Sequence, residues 1–83
     1  MAVYFHPHAR ERMEERGTDE DEVRITVEHG ERFPAKFGRE GFRHNFQFHG
    51  EWRGRTYSTK QVEVYAAQEG SEWLVLTVIT RYF

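Results

Sequence analysis

From Phe42 onward the side chains alternate in character: Phe42, His44, Phe46 and Phe48 share one parity, and Arg43, Asn45, Gln47 and His49 the other. Successive side chains of a strand point to opposite faces, so this two-residue period specifies a strand with a dry side and a wet side. Such a strand needs partner strands and a second layer over its apolar face. The chain offers both. A following segment sets Val62, Val64 and Ala66 on one face with Lys60, opposed by Tyr57, Thr59, Gln61, Glu63 and Tyr65. The last segment, Trp73 to Tyr82, is apolar on both parities over most of its length, the pattern of a central strand covered on both faces. Phe33, Ala35 and Phe37 also share a parity and predict a first strand, placed at an edge because Pro34 removes a ladder donor.

Ahead of these strands the pattern turns helical. Pro7 suits a first helical turn and disfavours helix at His6, so a helix is expected from about Pro7 to Arg16, stopped by Gly17. Its apolar stripe is thin, Ala9 and Met13, while His8, Arg12 and Arg16 line one side. Thr18 or Asp19 caps a second helix whose acidic first turn, Asp19 to Glu22, suits the dipole; Val23, Thr26 and Val27 form its buried stripe, and Gly30 ends it. Val3-Tyr4-Phe5 reads as a short extended lead-in. The expected fold is α+β: two N-terminal helices followed by a four-stranded antiparallel β-sheet meander, one domain over 1–83.

Parity constrains the turns. A two-residue loop at Arg53-Gly54 would place Phe46 opposite Gln61 and split the core, whereas a five-residue loop from Gly50 to Gly54 pairs Phe42 with Val62. A three-residue turn, Glu69-Gly70-Ser71, likewise pairs Val62 with Val78 and Lys60 with Thr80. Odd loops are expected at both places. A chain of 83 residues is short, and its seven Phe, four Tyr and two Trp are the material expected to build the core, with some left over for the surface.

Composition narrows the chemistry. Without cysteine there is neither a disulfide framework nor a thiolate metal site. No basic stretch leads into an apolar run and no segment approaches a membrane span, so a cytoplasmic protein without membrane contact is expected. His6-Pro7-His8, with His44 and His49 elsewhere, lacks recognised ligand spacing, so neither metal nor other cofactor is expected. The glycines fall at turns and cradle no phosphate. The net charge of −2 hides an asymmetry: residues 1–31 hold four Arg against nine acids, and residues 32–59 hold six basic residues against two acidic. That excludes indiscriminate nucleic-acid binding and allows a local basic face, or an acidic solvated helix beside a basic sheet.

His8-Ala9-x-x-Arg12-Met13-x-x-Arg16-Gly17, a second helix carrying Val23 and ending at Gly30, and a closing Val78-Ile79-Thr80-x-Tyr82 together resemble the domain of unknown function 4258 family over essentially the whole chain. Thr18 departs from the pattern, which usually has Ile or Val there. The resemblance implies a fold akin to the RelE- and barnase-type ribonucleases, grouped with toxin domains, and hence RNA and an antitoxin-like protein as partners. It matches His8, Arg12 and Arg16 to the family's first-helix motif, and puts Lys60, Thr80 and Tyr82 at strand positions where such enzymes place polar groups.

The residues support the same chemistry independently. Metal-independent RNA cleavage needs a base for the 2′-OH, an acid for the leaving 5′-oxygen and cations for the charged phosphorane. His8 can serve as acid or base, Arg12, Arg16 and Lys60 as phosphate contacts, and Thr80 as a positioning hydroxyl. Arg43, Arg53, Arg55, Tyr57 and Tyr82 are candidate RNA contacts, and Phe33, Phe37, Phe42, Trp52 and Tyr57 can stack on unpaired bases. Plainer readings stand beside these. His8 can bond a backbone group at the helix start, Arg12 and Arg16 can pair with nearby acids, Lys60 and Thr80 can form a cross-strand polar pair, and the Phe residues can be core. A non-catalytic module that docks a partner, or a second copy of itself, through its sheet face or edge strand is the competing function; the chain is then a monomer or a homodimer.

Overall fold

The computed structural model describes residues 2–83. Strand β1 (Val3–Phe5) leads into helices α1 (Pro7–Arg16) and α2 (Glu20–His29), followed by strands β2 (Glu31–Pro34), β3 (Glu40–Trp52), β4 (Arg55–Glu69) and β5 (Glu72–Tyr82). The five strands form one mixed sheet in the order β1-β5-β4-β3-β2, in which β1 runs parallel to β5 and the other pairs are antiparallel. The expected four-stranded antiparallel meander is therefore incorrect. The lead-in is itself a strand, with Val3 beside Trp73 and Phe5 beside Val75. Three residues carry no readable period, and their partner lies at the other end of the chain.

Both helices have locally encoded ends. The His6 ring caps α1, its Nδ1 accepting the His8 backbone N–H at 3.1 Å, and Pro7 opens the first turn. At the other end Gly17 takes φ 75°, and the Gly17 and Thr18 N–H groups both donate to the Met13 carbonyl. Asp19, not Thr18, caps α2, with its carboxylate accepting the Glu22 N–H at 2.8 Å.

Both hairpins reach the required parity by another route than the expected odd loops. The β3–β4 turn is the two-residue Arg53-Gly54, with φ of 50° and 82°, and the parity is restored by a bulge in which Phe48 and His49 oppose Ser58. The β4–β5 turn is Gly70-Ser71, and Leu76 is the extra residue. Phe42 consequently pairs with Val64, not Val62; Val62 pairs with Thr80 and Lys60 with Tyr82. The bulge also explains why β5 is apolar on both parities. Trp73 and Val75 face the helices before it, and Val78, Thr80 and Tyr82 after it, so the pattern records a phase change and not burial on two sides. The expected strand through Phe37 ends at Pro34; residues 35–39 form a connection in which Phe37 has φ 64°.

The core lies between the helices and one sheet face. It is mainly aliphatic: Val23, Val27, Ala9 and Met13 pack on Val62, Val64, Val75 and Val78. Phe42 and Trp73, edge to face at 5.1 Å, are buried in it, and Phe5 and Phe46 pack against it partly buried. Flat β-branched side chains suit a helix laid on a pleated sheet, and most of the rings lie at the sheet's ends and on its other face. There a charged row crosses the strands: Glu31, Arg43 and Glu63 are neighbours on β2, β3 and β4. Glu63, its side chain 3% exposed, accepts from Arg43 and Arg81 at 2.8 Å each. Burial pushes its carboxyl up, but the two arginine hydrogen bonds outweigh this and hold it below its ordinary value.

A Cβ at residue 17 would lie 2.5 Å from the Trp52 ring, at a φ that alanine adopts poorly. Gly17→Ala is expected to destabilise the domain by about 2–4 kcal/mol in urea denaturation. Glu63 has a lower pKa folded than unfolded, so its contribution is complete above its ordinary value near 4.5 and vanishes as pH falls through the native value. Glu63→Gln should cost about 2 kcal/mol near neutrality, and its stability should fall less steeply than the wild type's below pH 4.5.

Candidate functional site

Three strand side chains converge on the carbonyl end of α1. Thr80 Oγ1 and Tyr82 OH both donate to the Arg16 carbonyl, at 2.9 and 2.7 Å. Lys60 Nζ donates to the Gly17 carbonyl at 2.9 Å and pairs with the Glu22 carboxylate at 2.7 Å. The last carbonyls of a helix lack internal partners and carry partial negative charge, so hydroxyl and ammonium donors match them. Thr18 donates its hydroxyl to the same Glu22 carboxylate at 2.9 Å. The lysine, 9% exposed on its side chain, thus ties α1, α2 and β4 together. The Arg16 guanidinium turns back to the Val78 carbonyl at 2.6 Å.

Of the five candidate catalytic residues, Arg16, Lys60 and Thr80 meet here with Tyr82. His8 and Arg12 do not. His8 stands at the other end of α1, two turns or about 12 Å of helix away. It lines a cleft of about 370 Å³ with His6, Arg39, Leu76 and Thr77. Arg12 is paired along the helix surface with Glu15 at 2.9 Å. Lys60 and Thr80 lie on neighbouring strands, but the groups they bond are helix carbonyls and not each other.

Around the helix end the aromatics gather. Trp52 stacks on Tyr82 with ring centroids 4.9 Å apart and planes at 15°, Tyr57 tilts against Tyr82 at 5.7 Å, and Phe48 meets it edge-on at 5.2 Å. The Arg53 guanidinium lies 5.2 Å over the Trp52 ring and donates to the Glu15 carbonyl. Arg16, Trp52, Arg53, Thr80 and Tyr82 line a cleft of about 200 Å³. Arg55 follows across the tight turn and is exposed. Of the candidate RNA contacts, Arg53, Arg55, Tyr57 and Tyr82 therefore share the hairpin end, and Arg43 is spent on Glu63 and Glu31 on the opposite sheet face. Burial pushes the Tyr82 phenol up, keeping it a donor.

Charge pairing separates two kinds of cation. Arg10, Arg12, Arg24, Arg32, Arg43, Lys60 and Arg81 each have a carboxylate partner. Among the described residues Arg16, Arg53, Arg55, Lys36 and Arg39 have none, and they fall in two places: the hairpin end and the β2–β3 connection. Sequence reasoning passed over His6 and Arg39 as companions of His8, and Glu22 as the counterion of Lys60. The His6-Pro7-His8 string was a visible signal for the first; Arg39 has none, because only the path of its loop brings it near.

Two helices on one face of a mixed five-stranded sheet, with a cationic and aromatic hairpin end, define an α+β domain. The chain belongs to the family described as "Domain of unknown function (DUF4258)", whose model matches residues 5–80. No curated protein and no solved structure matched it. No helix among the described residues is long and apolar enough to cross a membrane.

Lys60→Met is expected to destabilise the domain by about 1–3 kcal/mol, because Glu22 and the Gly17 carbonyl lose a buried cationic partner. Combined with Glu22→Gln the loss should be smaller than the sum of the two, as measured in a double-mutant cycle by chemical denaturation.

Proposed function

We propose that this domain binds single-stranded RNA through the hairpin end and is an RNase-like, toxin-related protein of the RelE and barnase kind. The observation that carries the reading is the coincidence of unneutralised cations with stacked rings. Among the described residues Arg53 and Arg55 have no carboxylate partner; Arg53 lies over the Trp52 ring, Arg55 pairs with Trp52 across the turn, and Trp52 and Tyr57 pack on Tyr82. Guanidinium groups hold phosphates and aromatic faces hold unpaired bases, and together they select single strands over duplexes. The chain's net charge of −2 disfavours binding over its whole surface, so contact depends on local cationic patches such as this rim.

Cleavage on this reading is metal-independent acid–base chemistry with His8 as the acid or base, assisted by Arg39 in its own cleft. Arg16, Lys60 and Thr80 serve instead to hold the helix end that carries the binding rim. A second reading is favoured by the edge of β3, which has no strand partner on its outer side beyond Arg43 among the described residues. Its exposed ladder can add a strand from an antitoxin-like protein or a second copy.

Fluorescence anisotropy with a labelled oligoribonucleotide tests the first reading. Trp52→Ala should weaken binding by about 1–3 kcal/mol. Arg53→Ala and Arg55→Ala should each flatten the logarithmic salt dependence by about 0.7. Unchanged binding in all three removes the hairpin end from consideration. Cleavage that survives EDTA and disappears in His8→Ala supports the enzymatic part. No RNA binding, with a stable dimer in light scattering, favours the edge-strand reading.

A further inference from the structure

The cleft beside His8 does not stand alone. The connection between β2 and β3 lies against the open sheet face, where Phe33, Phe37 and Tyr65 line a second cleft of about 540 Å³ that also includes Lys36. Arg39 and Thr77 line both clefts, so the two are adjoining compartments of one groove. The larger compartment is built from rings. Phe33 meets Tyr65 edge to face at 6.1 Å, and Gly41 beneath them has no side chain, since a Cβ there would lie 2.3 Å from the Phe33 ring. Phe37 is 87% exposed, its backbone is in the left-handed region at φ 64°, and Gly38 follows it with φ 70°. A bulky residue rarely takes that conformation, and nothing in the core holds Phe37 there.

The smaller compartment has the opposite chemistry. His6, His8 and Arg39 line it, with the Thr77 hydroxyl at the boundary. The His8 N–H is taken by the His6 ring and the Ala9 and Arg10 N–H groups by the His6 carbonyl, so its attraction for anions comes from side chains and not from free helix amides. The His6 cap occupies Nδ1 and leaves Nε2 as the ring nitrogen available to a ligand. Lys36 and Arg39 have no carboxylate partner among the described residues, and the Arg39 guanidinium lies 5.8 Å from the Phe37 ring, between the two chemistries. The β5 bulge residue, Leu76, contributes to the wall; bulges commonly re-aim side chains beside binding sites.

We propose that this groove is a nucleotide subsite: it takes one nucleoside monophosphate unit, with the base among Phe33, Phe37 and Tyr65 and the phosphate between Arg39 and the two histidines. A ligand that satisfies both compartments needs a planar π-face at one end and an anion at the other, joined by a short polar link that Thr77 can meet. An aliphatic acid leaves the rings unused, and an inorganic anion leaves the larger compartment empty. The volumes are those of small-molecule sites. The proposal rests on the RNA reading for the source of the nucleotide and not for the groove itself, which lies away from the hairpin end.

Nuclear magnetic resonance titration of the full chain with each of the four ribonucleoside 3′-monophosphates provides the test, with inorganic phosphate and the four ribonucleosides as controls. At least one nucleotide should shift the His6 and His8 ring signals and the Phe37 and Tyr65 ring signals at the same midpoint. Phosphate alone and nucleoside alone should bind at least about tenfold more weakly. Arg39→Ala should weaken the nucleotide by about tenfold. Phe37→Ala should weaken the nucleotide but leave phosphate unchanged; both residues are exposed, so folding is not at stake. An oligoribonucleotide that competes with the monophosphate identifies the ligand as a unit of RNA, and failure to compete identifies it as a free nucleotide. Shifts confined to the histidines with phosphate as effective as nucleotide, no shift in the groove, or an unaltered Arg39→Ala midpoint each overturn the proposal. If the groove stays silent while the hairpin variants lose RNA, the RNA reading survives without this subsite; if nucleotides bind while RNA does not, the subsite survives alone.

Discussion

The carbonyl end of α1 is held by three donors from two strands, and the rest of the architecture is arranged around that docking. Only Ala9 and Met13 of this helix are buried, too little apolar area to fix its position on the sheet by itself. Thr80, Tyr82 and Lys60 make up the difference by satisfying carbonyls that would otherwise face a low-dielectric interior. Lys60 sits where a wholly apolar strand would have another valine. Its ammonium is acceptable there because Glu22 and Gly17 meet it, and Thr18 steadies Glu22.

The same residues that hold the helix also build the rim. Tyr82 donates to Arg16 with its hydroxyl and offers its ring to Trp52, Tyr57 and Phe48, so the stack inherits the rigidity of the helix anchor. A preorganised platform loses less entropy on binding than rings on a free loop. The β2–β3 connection is the contrasting case, with Phe37 strained, exposed and unsupported by the core. Among the described residues, seven cations have a carboxylate partner and the five that do not lie at these two ends.

Much of this was legible in residue order. Pro7, Gly17, Asp19 and Gly30 mark the helix ends because capping is local chemistry, and the Val23, Thr26, Val27 stripe follows from the helical period. The alternation through Phe42 and Val64 sorted the two sheet faces correctly. It misjudged the registers by two residues, because parity is blind to whether the odd residue belongs to a loop or to a bulge. Reading Phe37 as part of a strand failed for a similar reason: a shared parity with Phe33 says nothing about a backbone that leaves the strand after Pro34 and turns left-handed at Phe37 itself.

What the sequence determined by itself is what depends on neighbours within a turn or a strand: two capped helices, alternating strands, a lysine on a dry face, and an acidic half set against a basic one. The tertiary structure decided what depends on residues far apart in the chain. It made Val3–Phe5 a strand by giving it β5 to pair with. It turned Lys60, Thr80 and Tyr82 toward a helix end and parted His8 from them by the length of that helix. It also brought Arg39 to His6 and His8. Hydrogen bonding and charge pairing at long range obey geometry that no local period encodes, since their free energy is realised only after the chain has closed the loops between them.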